Sequence, residues 1–137
     1  MEYNGTHCLA DLFGCQGLDS LLCVEAVLRH AAAASGATLL DVRLHSFGAE
    51  QGVTGVALLA ESHISIHTWP EHGYAAVDIF LCGNRHDVDA GLAALVSGLD
   101  AQRYEERRIA RGFGACAERS ACYPAVETTT GTTSLSA

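Results

Sequence analysis

Between Leu58 and Gly83 the chain reads LLAESHISIHTWPEHGYAAVDIFLCG, and this stretch leaves little freedom in how it folds. Val53 to Ala60 and His63 to Trp69 both read as strands, with only Glu61 and Ser62 between them. Pro70 to Gly73 supply turn residues before another alternating strand, Tyr74 to Cys82. Where the first two strands meet there is almost no loop, so the backbone at Glu61–Ser62 is a candidate for strain.

The flanking sequence completes the pattern. Residues 6 to 13, THCLADLF, predict a first strand that Cys15 to Gly17 end. From Leu18 to Ser35, apolar residues recur at helical spacing through Leu21, Leu22, Val24, Val27, Leu28 and Ala31, with Asp19 as the expected N-cap. Thr38 to Phe47 predicts a strand, and Gly48 to Gly52 a loop. A second helix fits Asp87 to Leu99, and Arg103 to Arg111 predicts an exposed or edge strand. This order indicates an α+β fold, a two-layer α/β sandwich whose helices gather on one face of a mainly antiparallel sheet. Residues 1–114 are expected to form a single domain. From Ala115 onward small and hydroxyl residues dominate, which predicts a disordered tail over 115–137.

Composition narrows the function. All eight basic residues are arginine, so no lysine is available to hold a pyridoxal cofactor as an internal Schiff base. Amine chemistry in this chain would need an electrophile from another source. A net charge of −8 argues against a nucleic-acid partner and favours a small cationic substrate. The N-terminus, MEYNGTHC, lacks a basic region followed by an apolar one, and no apolar run reaches membrane-spanning length. A soluble, cytoplasmic chain without a membrane partner is expected. The six cysteines are then expected as reduced thiols, with Cys8 and Cys23 buried among apolar residues.

Ser62 is one source of such an electrophile. Its hydroxyl can attack the carbonyl carbon of Glu61, turning the amide into an ester. β-Elimination then leaves a dehydroalanine, which loses ammonia to become a pyruvoyl group. His63 and His67 share a strand face, and Cys82 ends the adjoining strand. An imidazole near the serine can move protons, and a thiol near a carbanion can protonate it. Two other readings stand beside this one. The three side chains can be ordinary core or rim residues, or His63, His67, His72 and Cys82 can bind zinc, though the usual ligand spacings are missing. Parity sets Ser62 with Ile64 and Ile66, on the face opposite His67, so cooperation requires a bend or bulge at Glu61–Ser62 or a swing of the freed end.

The run ESHISIHTWPEHGYAAVD followed by Cys82 resembles the core of the short prokaryotic S-adenosylmethionine decarboxylase proenzymes, and the likeness extends from about Gly5 to Gly114. The resemblance implies self-cleavage after Glu61 and a pyruvoyl cofactor made from Ser62, which forms a Schiff base with substrate. It assigns processing to His67 and proton donation to Cys82. It also implies homodimeric pairing of two copies, each cut into a β chain, 1–61, and an α chain, 62–137. Phe47, Glu50, Trp69 and Glu71 are the expected substrate contacts.

One region departs from the family pattern His-x-Phe-x-Pro-x-Gly-Val-Ser-Gly. Here His45 to Gly55 lacks the proline, gains one residue, and carries Thr54 where a processing-assisting serine is usual. His72 stands where tyrosine is common. Threonine keeps the hydroxyl. Glu50 could pair with a distal ammonium or guanidinium, so ornithine or arginine is the alternative substrate to S-adenosylmethionine. A non-catalytic relative that binds nucleosides or regulates a partner enzyme is a reading of another class, against which the retained Ser62, His67 and Cys82 speak.

Overall fold

The computed structural model describes residues 3–82 and 84–113. The elements run β1 (Tyr3–Phe13), α1 (Leu21–Ala34), β2 (Leu39–Ser46), β3 (Val53–Leu59), β4 (Ser62–Trp69), a short 3-10 turn (Pro70–His72), β5 (Tyr74–Cys82), α2 (Val88–Gly98) and β6 (Arg103–Phe113). The six strands form one sheet in the order β2-β3-β4-β5-β1-β6, and every neighbouring pair is antiparallel. Both helices pack on one face and against each other. The expected two-layer arrangement is therefore the observed one. The tail over 115–137 lies outside the described residues.

Local chemistry explains the element boundaries. The first helix starts later than the apolar spacing suggests, and its N-cap is Ser20 rather than the expected Asp19: Ser20 Oγ accepts from the Cys23 N–H at 3.1 Å. Asp87 caps α2 by accepting from Ala90 N–H at 3.0 Å. The 3-10 turn ends on Gly73 at φ 59, a conformation that glycine adopts without penalty.

Strand alternation divides the sheet into two unlike faces. Leu12, Ile64, Ile66, Ile79 and Leu81 turn to the helix side and meet Val24, Leu28, Leu95 and Leu99, all fully buried. Each such side chain contributes about 1.5–3 kcal/mol by leaving water. Among the described residues no helix lies over the opposite face. It carries a band of polar and aromatic groups together with Leu9, Leu58, Trp69 and Ile109, which are 39%, 44%, 40% and 49% exposed. The edge strand β6 is almost wholly exposed and laced with ion pairs, Arg103 to Glu105 and Arg108 to Glu106, charges that discourage pairing with another sheet edge. Among the described residues no helix is long and apolar enough to cross a membrane.

Candidate active site

The β3–β4 ladder runs without a slip from Thr54↔His67 to Leu59↔Ser62, leaving Ala60 and Glu61 as its turn. Glu61 has φ 63, a left-handed conformation that costs a residue with a Cβ about 1–2 kcal/mol. The strain anticipated at Glu61–Ser62 is therefore real and falls on the residue before the serine. No bulge accompanies it, so Ser62 keeps the parity of Ile64 and Ile66. The hydrogen bond that Ser62 Oγ donates, to Ala60 O, is long at 3.4 Å, and leaves the hydroxyl easily redirected.

The same end of the sheet holds Cys82. Continuing the β4–β5 register past His63↔Phe80 sets Ser62 beside Leu81 and Glu61 beside Cys82. Cys82 is 8% exposed, at the last position of β5. A hydrogen bond from Arg85, aided by the backbone of Asn84 and Arg85, lowers its pKa and outweighs the burial that opposes it. Burial acts the other way on Cys8 and Cys15, raising both. Of the described cysteines, Cys8, Cys15, Cys23 and Cys82 are all free thiols; Cys8 is fully buried and Cys23 partly so. The Arg85 guanidinium also reaches back to Glu61, with Nη2 3.2 Å from Oε2. Arg85 was not among the residues singled out from sequence, because nothing local links it to a glutamate 24 positions earlier.

His67 lies at the other end of β4. It is exposed, stands opposite Thr54, and its Nδ1 is 3.2 Å from Thr54 Oγ1. Five residues of strand separate it from Ser62, about 16 Å, and the two side chains project to opposite faces. Trp69 and Glu71 lie at this same end, as does the Phe47–Gly52 loop, whose Phe47 N–H donates to Gly52 O at 3.0 Å. Phe47 is 62% exposed and meets the His45 ring edge-on at 4.8 Å. Glu50, at φ 60, is exposed. One chain thus gathers Glu61, Ser62 and Cys82 at one end, and Thr54, His67, Phe47, Glu50, Trp69 and Glu71 at the other.

Between these ends the open face carries a cluster absent from the sequence reading. Asp78 Oδ2 is 2.6 Å from His7 Nε2 and 2.9 Å from His63 Nε2, and Oδ1 accepts from Ser65 Oγ. Burial works to raise the pKa of Asp78, but the hydrogen bonds from Ser65, His7 and His63 prevail and lower it. His7, His63 and Asp78 form the one group among the described residues close enough to share a metal ion. The tautomer speaks against one. Arg111 Nη1 lies 3.1 Å from His7 Nδ1 and can only donate, so Nδ1 carries the lone pair and Nε2 carries the proton given to Asp78. A metal on Nε2 would require the reverse. The other zinc grouping considered, His63, His67, His72 and Cys82, is not brought together. The sequence signal for this cluster was Asp78 itself, a charge in the middle of an apolar strand.

Next to it Trp69, Tyr74, Phe13 and Arg103 stack across four strands, with ring separations of 5.2 and 5.5 Å and Arg103 Cζ 4.0 Å over Phe13. Tyr74 donates to Asp11 at 2.6 Å; burial and this carboxylate push its pKa up to about 12. Asp11, Phe13, Trp69, His72 and Tyr74 line a shallow, open depression.

The family described as S-adenosylmethionine decarboxylase matches residues 6–112. A protein of Thermomicrobium roseum named S-adenosylmethionine decarboxylase proenzyme is 46% identical over 113 residues, 82% of this chain and 97% of that protein. A proenzyme of the same name from Parasynechococcus marenigrum is 50% identical over 109 residues, 78% of this chain and 84% of its own. The crystal structure of the adenosylmethionine decarboxylase from Aquifex aeolicus VF5 superposes with a TM-score of 0.73 at 32% identity, covering 88% of this chain and all of that one.

Proposed function

This chain belongs to the S-adenosylmethionine decarboxylase family, and from that premise we propose that it is a self-processing decarboxylase of S-adenosylmethionine, one domain over 1–114 cut into chains 1–61 and 62–137. Its product would be the aminopropyl donor for spermidine synthesis. The observation that carries the reading is the meeting, at one level of the sheet, of a strained Glu61, a weakly held Ser62 hydroxyl and an acidified Cys82 thiol.

In this reading Ser62 Oγ attacks the Glu61 carbonyl carbon, and the acyl group moves from nitrogen to oxygen. The turn releases its backbone strain as the peptide bond breaks. Removal of the Ser62 Cα proton then expels the Glu61 carboxylate, leaving a dehydroalanine. Water takes the place of its nitrogen, which departs as ammonia, and residue 62 becomes the pyruvoyl group. That group would supply an electron-withdrawing carbonyl able to receive the substrate's α-amine and to delocalise the electron pair left as carbon dioxide departs. Cys82 holds the proton that the α-carbon receives, and a lowered pKa eases its release.

The processing residues at the far end of β4 act across a dimer. Within one chain His67 and Ser62 are about 16 Å apart along the strand, too far for proton transfer. A second copy turned end for end over the open face would set its Thr54–His67 pair level with this chain's Glu61–Ser62 turn, and because Ser62 keeps the helix-side parity of Ile64 and Ile66, the turn must also rotate the Ser62 hydroxyl toward the open face for the two to meet. The exposed Leu9, Leu58, Trp69 and Ile109 on that face support such a contact, since a monomer gains nothing by leaving them in water.

Intact mass measurement of wild type and Ser62→Ala, with release of carbon dioxide from S-adenosylmethionine, ornithine and arginine, tests the proposal. Two chains, the second blocked at its N-terminus, and activity on S-adenosylmethionine are expected. A wild type that stays a single chain overturns the cleavage, and preference for ornithine or arginine overturns the substrate.

A further inference from the structure

Arg85 sits in the turn between β5 and α2, where its own N–H closes back on Cys82 O at 3.3 Å. Its side chain pairs with the Glu61 carboxylate at 3.2 Å, and the strand register sets Glu61 beside Cys82, so the guanidinium charge lies against both halves of the candidate chemistry. Of the other titratable groups nearby, Asp87 is held as the α2 cap by Ala90 N–H at 3.0 Å. From β1, Gly5 faces Cys82 and brings no charge. Arg111, opposite Gly5 on β6, lies against His7 Nδ1 at 3.1 Å and over the Phe80 ring at 5.0 Å. His86, in the same turn, keeps Nδ1 buried near Gly36 without a hydrogen-bond partner.

We propose that Arg85 is a positioning residue that couples the scissile Glu61 to the acid strength of Cys82. One guanidinium serves two anions, the carboxylate of Glu61 and the thiolate that Cys82 becomes when it gives up its proton. While Glu61 is held, part of the cation's field is spent on it. Once the cleaved end moves away to admit substrate, the whole charge is available to the thiolate, and Cys82 becomes a better acid at the moment its proton is needed. The use of that proton rests on the decarboxylase reading, but the coupling itself does not.

Thiol reactivity tests the coupling without substrate or turnover. Only the thiolate is alkylated, so the iodoacetamide rate at Cys82, followed peptide by peptide by mass spectrometry across pH, reports its ionisation. Arg85→Gln should slow alkylation at neutral pH about three- to tenfold and move the profile to higher pH, the scale expected for losing a neighbouring cation. Arg85→Lys should recover much of the rate, and in the uncleavable Ser62→Ala chain, where Glu61 stays in place, adding Glu61→Gln should raise the rate above that of Ser62→Ala alone. Arg85 is largely exposed, at 65%, so these substitutions leave the core intact. Superimposable profiles for wild type and Arg85→Gln overturn the assignment. Arg85→Lys as slow as Arg85→Gln overturns its electrostatic basis, and Ser62→Ala/Glu61→Gln no faster than Ser62→Ala overturns the link to Glu61. Absence of decarboxylation by wild type would instead sink the proposed function and leave these rates untouched.

Discussion

Thr54 Oγ1 and His67 Nδ1 face each other at 3.2 Å across the β3–β4 ladder, at the end of β4 remote from Ser62. The hydroxyl restrains the ring through Nδ1, which leaves Nε2 as the nitrogen proposed to act in processing. Their distance from the serine yields the sharpest prediction. Ser62→Ala and His67→Ala proenzymes should each fail to cleave alone. Co-expressed, they should produce cleaved chains carrying the His67→Ala substitution, because each such dimer pairs an intact serine with an intact histidine. Mass analysis of the mixed dimer decides it, and no cleavage in the mixture would place His67 in the same chain as its target.

Cys82→Ala should separate making the pyruvoyl group from using it. Cleavage should proceed, while turnover falls by about 10²-fold or more, the scale of losing a general acid. Normal turnover by this variant would move the proton donor elsewhere.

If the Phe47–Gly52 loop lines the substrate pocket, its two candidate contacts should discriminate between substrates. With S-adenosylmethionine, the exposed Phe47 ring is expected to stack on adenine, so Phe47→Ala should weaken binding by about 1–3 kcal/mol while Glu50→Gln changes little. The reverse order, a large effect from Glu50→Gln alone, would favour ornithine or arginine. Michaelis constants for both variants on all three substrates make the comparison.

Asp78 predicts an acid limit to stability. Burial acts to raise its pKa, but its three hydrogen-bond donors outweigh that and lower it from 3.8 in the folded chain. A carboxylate with a depressed folded pKa stabilises the fold above its unfolded value, and that contribution is lost as pH falls through the folded one. Wild type should therefore lose stability below about pH 4, and Asp78→Asn should flatten this dependence. At neutral pH the substitution should cost about 1–3 kcal/mol by leaving His7, His63 or Ser65 without its acceptor. Urea unfolding midpoints measured from acid to neutral pH show both effects. An unchanged acid slope would mean that Asp78 does not control it.

Much of this was legible in the chain before any coordinates. The periods of 2 and 3.6 identified every strand and both helices, because burial of one face is imposed residue by residue along a single segment. The spacing around Glu61 and Ser62 located the tight turn for the same reason. Where two adjacent residues could do one job, as Asp19 and Ser20 could cap α1, local pattern did not choose, and the geometry of the entering chain selected serine.

The tertiary structure decided what lies beside what. The order β2-β3-β4-β5-β1-β6 inserts the first strand between β5 and β6, so His7 meets Asp78, 71 residues away, and Arg111 meets His7 across 104. Arg85 reaches Glu61 only because the turn after β5 ends at the level of the β3–β4 turn. By itself the sequence nominated Ser62, His67 and Cys82 as candidates for the chemistry, since side-chain type and strand phase are local properties. Their division between the two ends of β4 is a property of strand length and sheet order, because about 3.3 Å of rise per residue accumulates into a separation that no motif displays.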